Sequence, residues 1–206
     1  KAAGLNSMLS PAAQHRNGLS SKVEKPVISV SAPHDVLIIK KFKMDQNRIG
    51  AIRSREKRND TKRSALASYQ EWIAHFIKAE SYTGDQALIF VWLLLWEIDT
   101  GNWQKGYEMA VFAIGKSFTS PLDFTRTLPE TVTEQIVDGI NRAEQQAENK
   151  QLLLSLYNLV KPLDMTDQIT AKLYKACGVA FIGTDKDRAL NLLSVALKLN
   201  EHFGVK

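Results

Sequence analysis

Apolar residues recur three and four positions apart along most of the chain, the spacing of helices that bury one face. Leu37, Ile38, Phe42, Ile49 and Ile52 predict a first helix from about Asp35 to Lys57, about 35 Å long at 1.5 Å per residue. Pro33 is its start signal. Asp45 interrupts its heptad, so a long coiled coil is not expected. Asn59-Asp60 ends that helix, and Asp60 or Thr61 caps a second. The second carries Leu66, Tyr69, Trp72, Ile73, Phe76 and Ile77 as one stripe. Residues 34–80 therefore read as a helical hairpin.

The same periodicity continues over residues 81–206, which read as a helical body. Gln86–Ile98 is apolar almost all round and belongs at the centre. Thr100-Gly101-Asn102 is a turn, and Trp103, Tyr107, Ala110, Val111 and Ile114 mark the next helix. A loop holds Pro121 and Pro129, and Thr131 or Thr133 starts a helix with Ile136, Val137 and Ile140. Pro162 ends a short apolar helix over 151–161, and Asp164 or Thr166 caps one running through Ile169, Leu173, Cys177 and Phe181. Gly183-Thr184-Asp185 turns into a last helix with Leu190, Leu193, Ala196 and Leu197. No hairpin-turn signal of a β fold is present, and the predicted class is all-α. Gly106-Tyr107, Ala110, Ala113 and Ile114 echo Ala189-Leu190, Leu193, Ala196 and Leu197 at an offset of 83, as in tetratricopeptide-like helix pairs. One echo is not a repeat array. Residues 1–33, rich in Ala, Ser, Asn and Gly with Pro11, Pro26 and Pro33, offer little to bury and read as a mobile arm.

Composition narrows the function. A chain of 206 residues suits one medium domain with a tail. The single cysteine, Cys177, excludes a disulfide framework and a Cys-rich zinc site. The longest apolar run, Ala87 to Trp96, is about half of the ~20 residues that a membrane span needs. No signal-peptide pattern is visible, and the cytosol is the expected compartment.

Charge changes the picture more. Residues 1–78 hold 15 Lys and Arg against 6 Asp and Glu, a net of +9, whereas residues 79–206 hold 12 against 16, a net of −4. Residues 40–63 alone carry Lys40, Lys41, Lys43, Arg48, Arg53, Arg55, Lys57, Arg58, Lys62 and Arg63 against Asp45, Glu56 and Asp60, net +7 in 24 residues. Phosphate backbones favour such clusters because every contact releases condensed counterions. Arginine's planar fork also suits phosphate. These ten cations are the candidate nucleic-acid contacts; a solvated helix face is the plainer reading of the same run. No helix-turn-helix signature stands out to read bases.

The remaining chemistry is thin. Asp99-Thr100-Gly101 resembles an aspartic-protease triplet, but it occurs once and ends a helical run, whereas that reaction needs two carboxylates sharing a proton. Glu97 with Asp99, and Asp185 with Asp187, suit helix ends better than a metal-dependent nuclease centre. His15, His34, His75 and His202 share no ligand spacing. His75 is expected to be partly packed, and Cys177, Trp92, Trp96 and Trp103 to be core. No Gly-x4-Gly-Lys-Ser/Thr loop exists, so no nucleotide cofactor is expected. Neither a catalytic nor a metal site is assigned.

Leu95-Trp96-Glu97-Ile98-Asp99-Thr100-Gly101-Asn102, the helix Tyr107–Ile114 and the loop Arg126-Thr127-Leu128-Pro129-Glu130 resemble the phage small terminase family of the GpM type. Ala171-Lys172-Leu173-Tyr174-Lys175 and the closing stretch from Arg188 to Lys206 fit the same pattern, over about residues 35–206. The resemblance implies a subunit that recognises double-stranded viral DNA at the packaging site in the host cytoplasm. It implies a homo-oligomeric ring that presents DNA to the large terminase subunit, which carries the ATPase and the nuclease. It also implies a basic tail beyond the equivalent of Lys206. The family is often labelled an endonuclease subunit, which the absence of a catalytic constellation opposes. Three alternatives stay open on the residues alone: an endonuclease component, a helical-repeat adaptor that binds only protein, and an RNA-binding regulator, which lacks an aromatic strand platform.

Overall fold

The structure, a computed structural model, describes residues 33–200. The arm expected over residues 1–33 lies outside them, except for Pro33, which opens the first helix. Among the described residues there are nine helices and no strand: α1 Pro33–Gly50, α2 Arg55–Ala67, α3 Gln70–Lys78, α4 Gly84–Asp99, α5 Trp103–Gly115, α6 Leu128–Arg142, α7 Lys150–Val160, α8 Asp167–Phe181 and α9 Lys186–Leu199. The all-α class read from the sequence holds.

α4 is the hub, as its all-round apolarity requires. Phe90, Val91, Leu93, Leu94, Leu95 and Trp96 are all buried. A capping box fixes its start: the Thr83 hydroxyl accepts from Gln86 N at 3.2 Å, and the Gln86 side chain accepts from Thr83 N at 2.8 Å. α1, α2, α5 and α6 pack on it, and one core cluster extends from Ile38 of α1 to Ala180 of α8. Phe76, Tyr82, Phe90, Phe112 and Phe118 form an aromatic knot with ring centroids 4.5–6.3 Å apart. Gly101, at φ +90°, makes the reversal between α4 and α5 in a conformation that a side chain would strain.

Three helix boundaries differ from the sequence reading, and one of them splits the stripe from Leu66 to Ile77: α2 ends at Ala67 and α3 starts at Gln70, so the expected two-helix hairpin is three helices. The first helix stops at Gly50, and Ser54 rather than Asp60 or Thr61 caps the next, accepting from Lys57 N. The apolar spacing runs unbroken across Ile49 and Ile52, and only the local Gly50 and Ser54 pair marks the stop. α6 starts at Leu128, with Pro129 in its first turn, rather than at Thr131 or Thr133. Proline belongs there, because its missing N–H is unused at a helix start. Glu130 fixes this start. One carboxylate oxygen accepts from Thr127 N at 3.1 Å and Thr127 Oγ1 at 2.8 Å, and the other accepts from Thr166 N, just before α8, at 2.9 Å. Burial pushes the Glu130 carboxyl up, but these hydrogen bonds outweigh it and hold the group below its ordinary value.

α8 and α9 approach closely where Gly178 faces Leu193; a Cβ on Gly178 would lie 2.8 Å from the leucine. Gly106 plays the same part between α5 and Ile98 of α4. Two close pairs do not make a repeating array, and the tetratricopeptide-like pairing rests on no more than these contacts.

Candidate nucleic-acid interface

The ten cations singled out by composition have different surroundings. α1 buries Ile38, Phe42, Asp45 and Ile49, the positions i, i+4, i+7 and i+11 of one face. Asp45 is therefore on the buried side. Its carboxylate accepts from Lys41 Nζ at 2.5 Å, Arg48 Nη2 at 3.0 Å and the Tyr69 hydroxyl at 2.8 Å. Lys41 also lies over the Tyr69 ring, 4.1 Å from its centroid. Burial raises the Asp45 carboxyl, but the hydrogen bonds from Lys41 and Tyr69 and the charges of Lys41 and Arg48 prevail and hold it below its ordinary value. The Tyr69 hydroxyl is pushed up, by burial first and by Asp45 second. Lys41 and Arg48 thus hold α1 against the α2–α3 junction.

Lys62 and Arg63 also have partners. Lys62 Nζ is 2.5 Å from Asp99 Oδ2, and its side chain is 13% exposed. Arg63 pairs with Asp60 at 2.6 Å and donates to Thr100 O at 3.3 Å, while Asn59 Nδ2 donates to Asp99 O at 2.8 Å. Three α2 side chains thus clasp the C-terminal end of α4, where cations complement the exposed carbonyls. This explains Asp99-Thr100-Gly101: it is a helix end gripped by α2.

The other six form no side-chain ion pair among the described residues. Lys40 and Lys43 point outward from α1, Arg53 sits in the linker, Arg55 and Lys57 lie exposed on the first turn of α2, and Arg58 is half-buried beside them. Four of the six, Arg53, Arg55, Lys57 and Arg58, therefore gather at the α1–α2 junction, while Lys40 and Lys43 lie about two to three turns back along α1. α2's outermost face is mixed, since Glu56 and Asp60 are exposed there with Lys57 and Arg63. Sequence reasoning missed this division. Its signal was present in Lys41 and Arg48, which sit four before and three after Asp45, the spacing of helix ion pairs.

Several carboxylates are likewise committed to the fold. Glu97, 1% exposed, pairs with Lys105 at 2.9 Å and accepts from Asn102 at 2.7 Å. Asp185 caps α9, accepting from Arg188 N at 3.0 Å. Glu134 lies between Arg126 and Lys172, and Lys172 also reaches Asp138. Among the described residues, no group of three or more His, Cys, Asp or Glu side chains is placed to hold a metal ion. Cys177 is buried, its thiol pushed up to about 12 by burial. Trp96 is buried and Trp92 and Trp103 half-buried, whereas His75, expected to be partly packed, is exposed on α3. Among the described residues no helix is long and apolar enough to cross a membrane.

The family model for the phage small terminase subunit matches residues 39–168. The chain belongs to the phage small terminase subunit family. It is 30% identical over 205 residues to the "Terminase, endonuclease subunit" of Escherichia phage P2, spanning 97% of this chain and 82% of that protein. No solved structure matches it. A small terminase subunit works in phage DNA packaging, and its match begins within α1, so the α1–α2 junction lies inside the family region.

Proposed function

We propose that this small terminase subunit binds double-stranded viral DNA at the packaging site through the α1–α2 junction. It assembles as a homo-oligomeric ring in the infected cell's cytoplasm and delivers DNA to the large terminase subunit, which supplies ATPase and nuclease. It is itself non-catalytic. One observation carries the DNA contact: Arg53, Arg55, Lys57 and Arg58 at this junction keep their charge free of side-chain ion pairs among the described residues, while Lys41, Arg48, Lys62 and Arg63 spend theirs on the fold.

The test is the salt dependence of DNA affinity. Changing Arg53, Arg55 and Lys57 together to alanine lowers affinity for any duplex and reduces the slope of log K against log salt by about 1 for each phosphate no longer neutralised. An unchanged slope rejects the assignment. The name of the P2 relative favours a second reading, an endonuclease component. Magnesium-dependent cutting of DNA by the purified chain alone would establish it.

A further inference from the structure

α1 carries apolar side chains on two opposite flanks. At 100° per residue, Leu37 and Met44 share one side, and Ile39 lies about 200° away from Leu37. Leu37 and Met44 are 65% and 72% exposed and two turns apart, a ridge about 10.5 Å long. Lys40 and Lys41 stand between them on the same side. The other flank borders a groove of about 290 Å³ between α1, α4 and residues 121–123. Ile39, Phe42, Leu88, Ile89, Trp92 and Leu122 give it apolar walls, and Leu122 projects fully into solvent. Asp85 and Asp123 outnumber Lys43 among its charged residues.

We propose that the occupant of this groove is the α1 ridge of a second copy of the chain, with Leu37 and Met44 entering between Leu88, Trp92 and Leu122 and Lys40 facing Asp85 and Asp123. The inference rests on the ring reading above and names the surfaces that build the ring. Charge favours a second copy, since Lys40 on the ridge has no ion-pair partner among the described residues and the groove carries Asp85 and Asp123 against the one Lys43. Clustered apolar side chains of this kind left in water mark an association surface. Ridge and groove are different patches of one protomer, so the contact is head-to-tail. A head-to-tail contact repeats from copy to copy and closes into a ring when its rotation allows.

The experiment mixes two disabled variants. Met44→Glu spoils the ridge and keeps the groove; Leu88→Glu spoils the groove and keeps the ridge. Native mass is measured for the unaltered chain, for each variant and for their equimolar mixture at low micromolar concentration. The expected results are a closed multiple for the unaltered chain, a 23.1 kDa monomer for each variant alone, and a two-chain species and nothing larger for the mixture. Leu37→Glu with Leu122→Glu is the second pair, giving the same pattern. All four side chains are exposed, so each variant keeps the helical content of the unaltered chain. Variants that keep the assembled mass overturn the ridge and groove while leaving the ring reading intact. A mixture that stays monomeric overturns the head-to-tail geometry. A monomeric unaltered chain overturns the ring reading along with it.

Discussion

Asp45 concentrates the residue-scale physics. A carboxylate on the buried face of an amphipathic helix is costly unless paired, and here two cations and a phenol pair it. Tyr69→Phe removes one charge-assisted hydrogen bond, an expected loss of about 1.5–3 kcal/mol in urea unfolding at neutral pH. The loss is pH-dependent. Asp45 and Glu130 both lie below their ordinary values of 3.8 and 4.5. Their contribution is complete above those values and disappears as pH falls through the lower values of the folded state. The urea midpoint is therefore steady above pH 4.5 and falls below it, and the gap between Tyr69→Phe and the unaltered chain narrows on acidification. A gap that widens in acid would contradict the assignment. The sequence placed Asp45 on the helix but showed it only as a heptad break. That it is buried depends on Tyr69, 24 residues away.

At the scale of elements, α2 and α4 decide which cations are free. Lys62 lies in the basic run, yet it grips the end of α4. Lys62→Ala is expected to lower the urea midpoint and to leave the salt slope of DNA binding nearly unchanged. The Arg53, Arg55 and Lys57 triple change does the reverse, because those side chains are exposed. A single comparison of midpoint and slope for the two proteins checks both. α4 itself depends on its capping box. Thr83→Ala removes the hydroxyl acceptor and costs about 0.5–2 kcal/mol in the same unfolding measurement. The order of the helices was legible because the 3.6-residue periodicity is strong in each, but the break between α2 and α3 was not, because the apolar stripe continues from Leu66 to Ile77 across it. The boundaries at Gly50 and Leu128 were not, because apolar spacing continues across the first and the second depends on Glu130 reaching back to Thr127.

Over the whole molecule, the charge asymmetry acquires a geometry. The basic part is α1 and α2, four of whose free cations gather at their junction, while Asp85 and Asp123 edge a groove along one flank of α1. On the proposed function and the proposed contact, DNA binding and assembly use neighbouring parts of α1 and α2. If the proposed contact builds a ring, Met44→Glu is expected to weaken DNA binding as well, by removing multivalency, while the salt slope per protomer stays the same.

The all-α class, the central place of α4 and the excess of cations in residues 40–63 follow from periodicity and composition, and so were present in the order of residues alone. Which of those cations are spent was settled by packing. Ion pairs to Asp99 and Asp45, and the hydroxyl of Tyr69, depend on elements brought together from far apart in the chain. The groove likewise exists because α1, α4 and residues 121–123 meet, and no local pattern records that meeting.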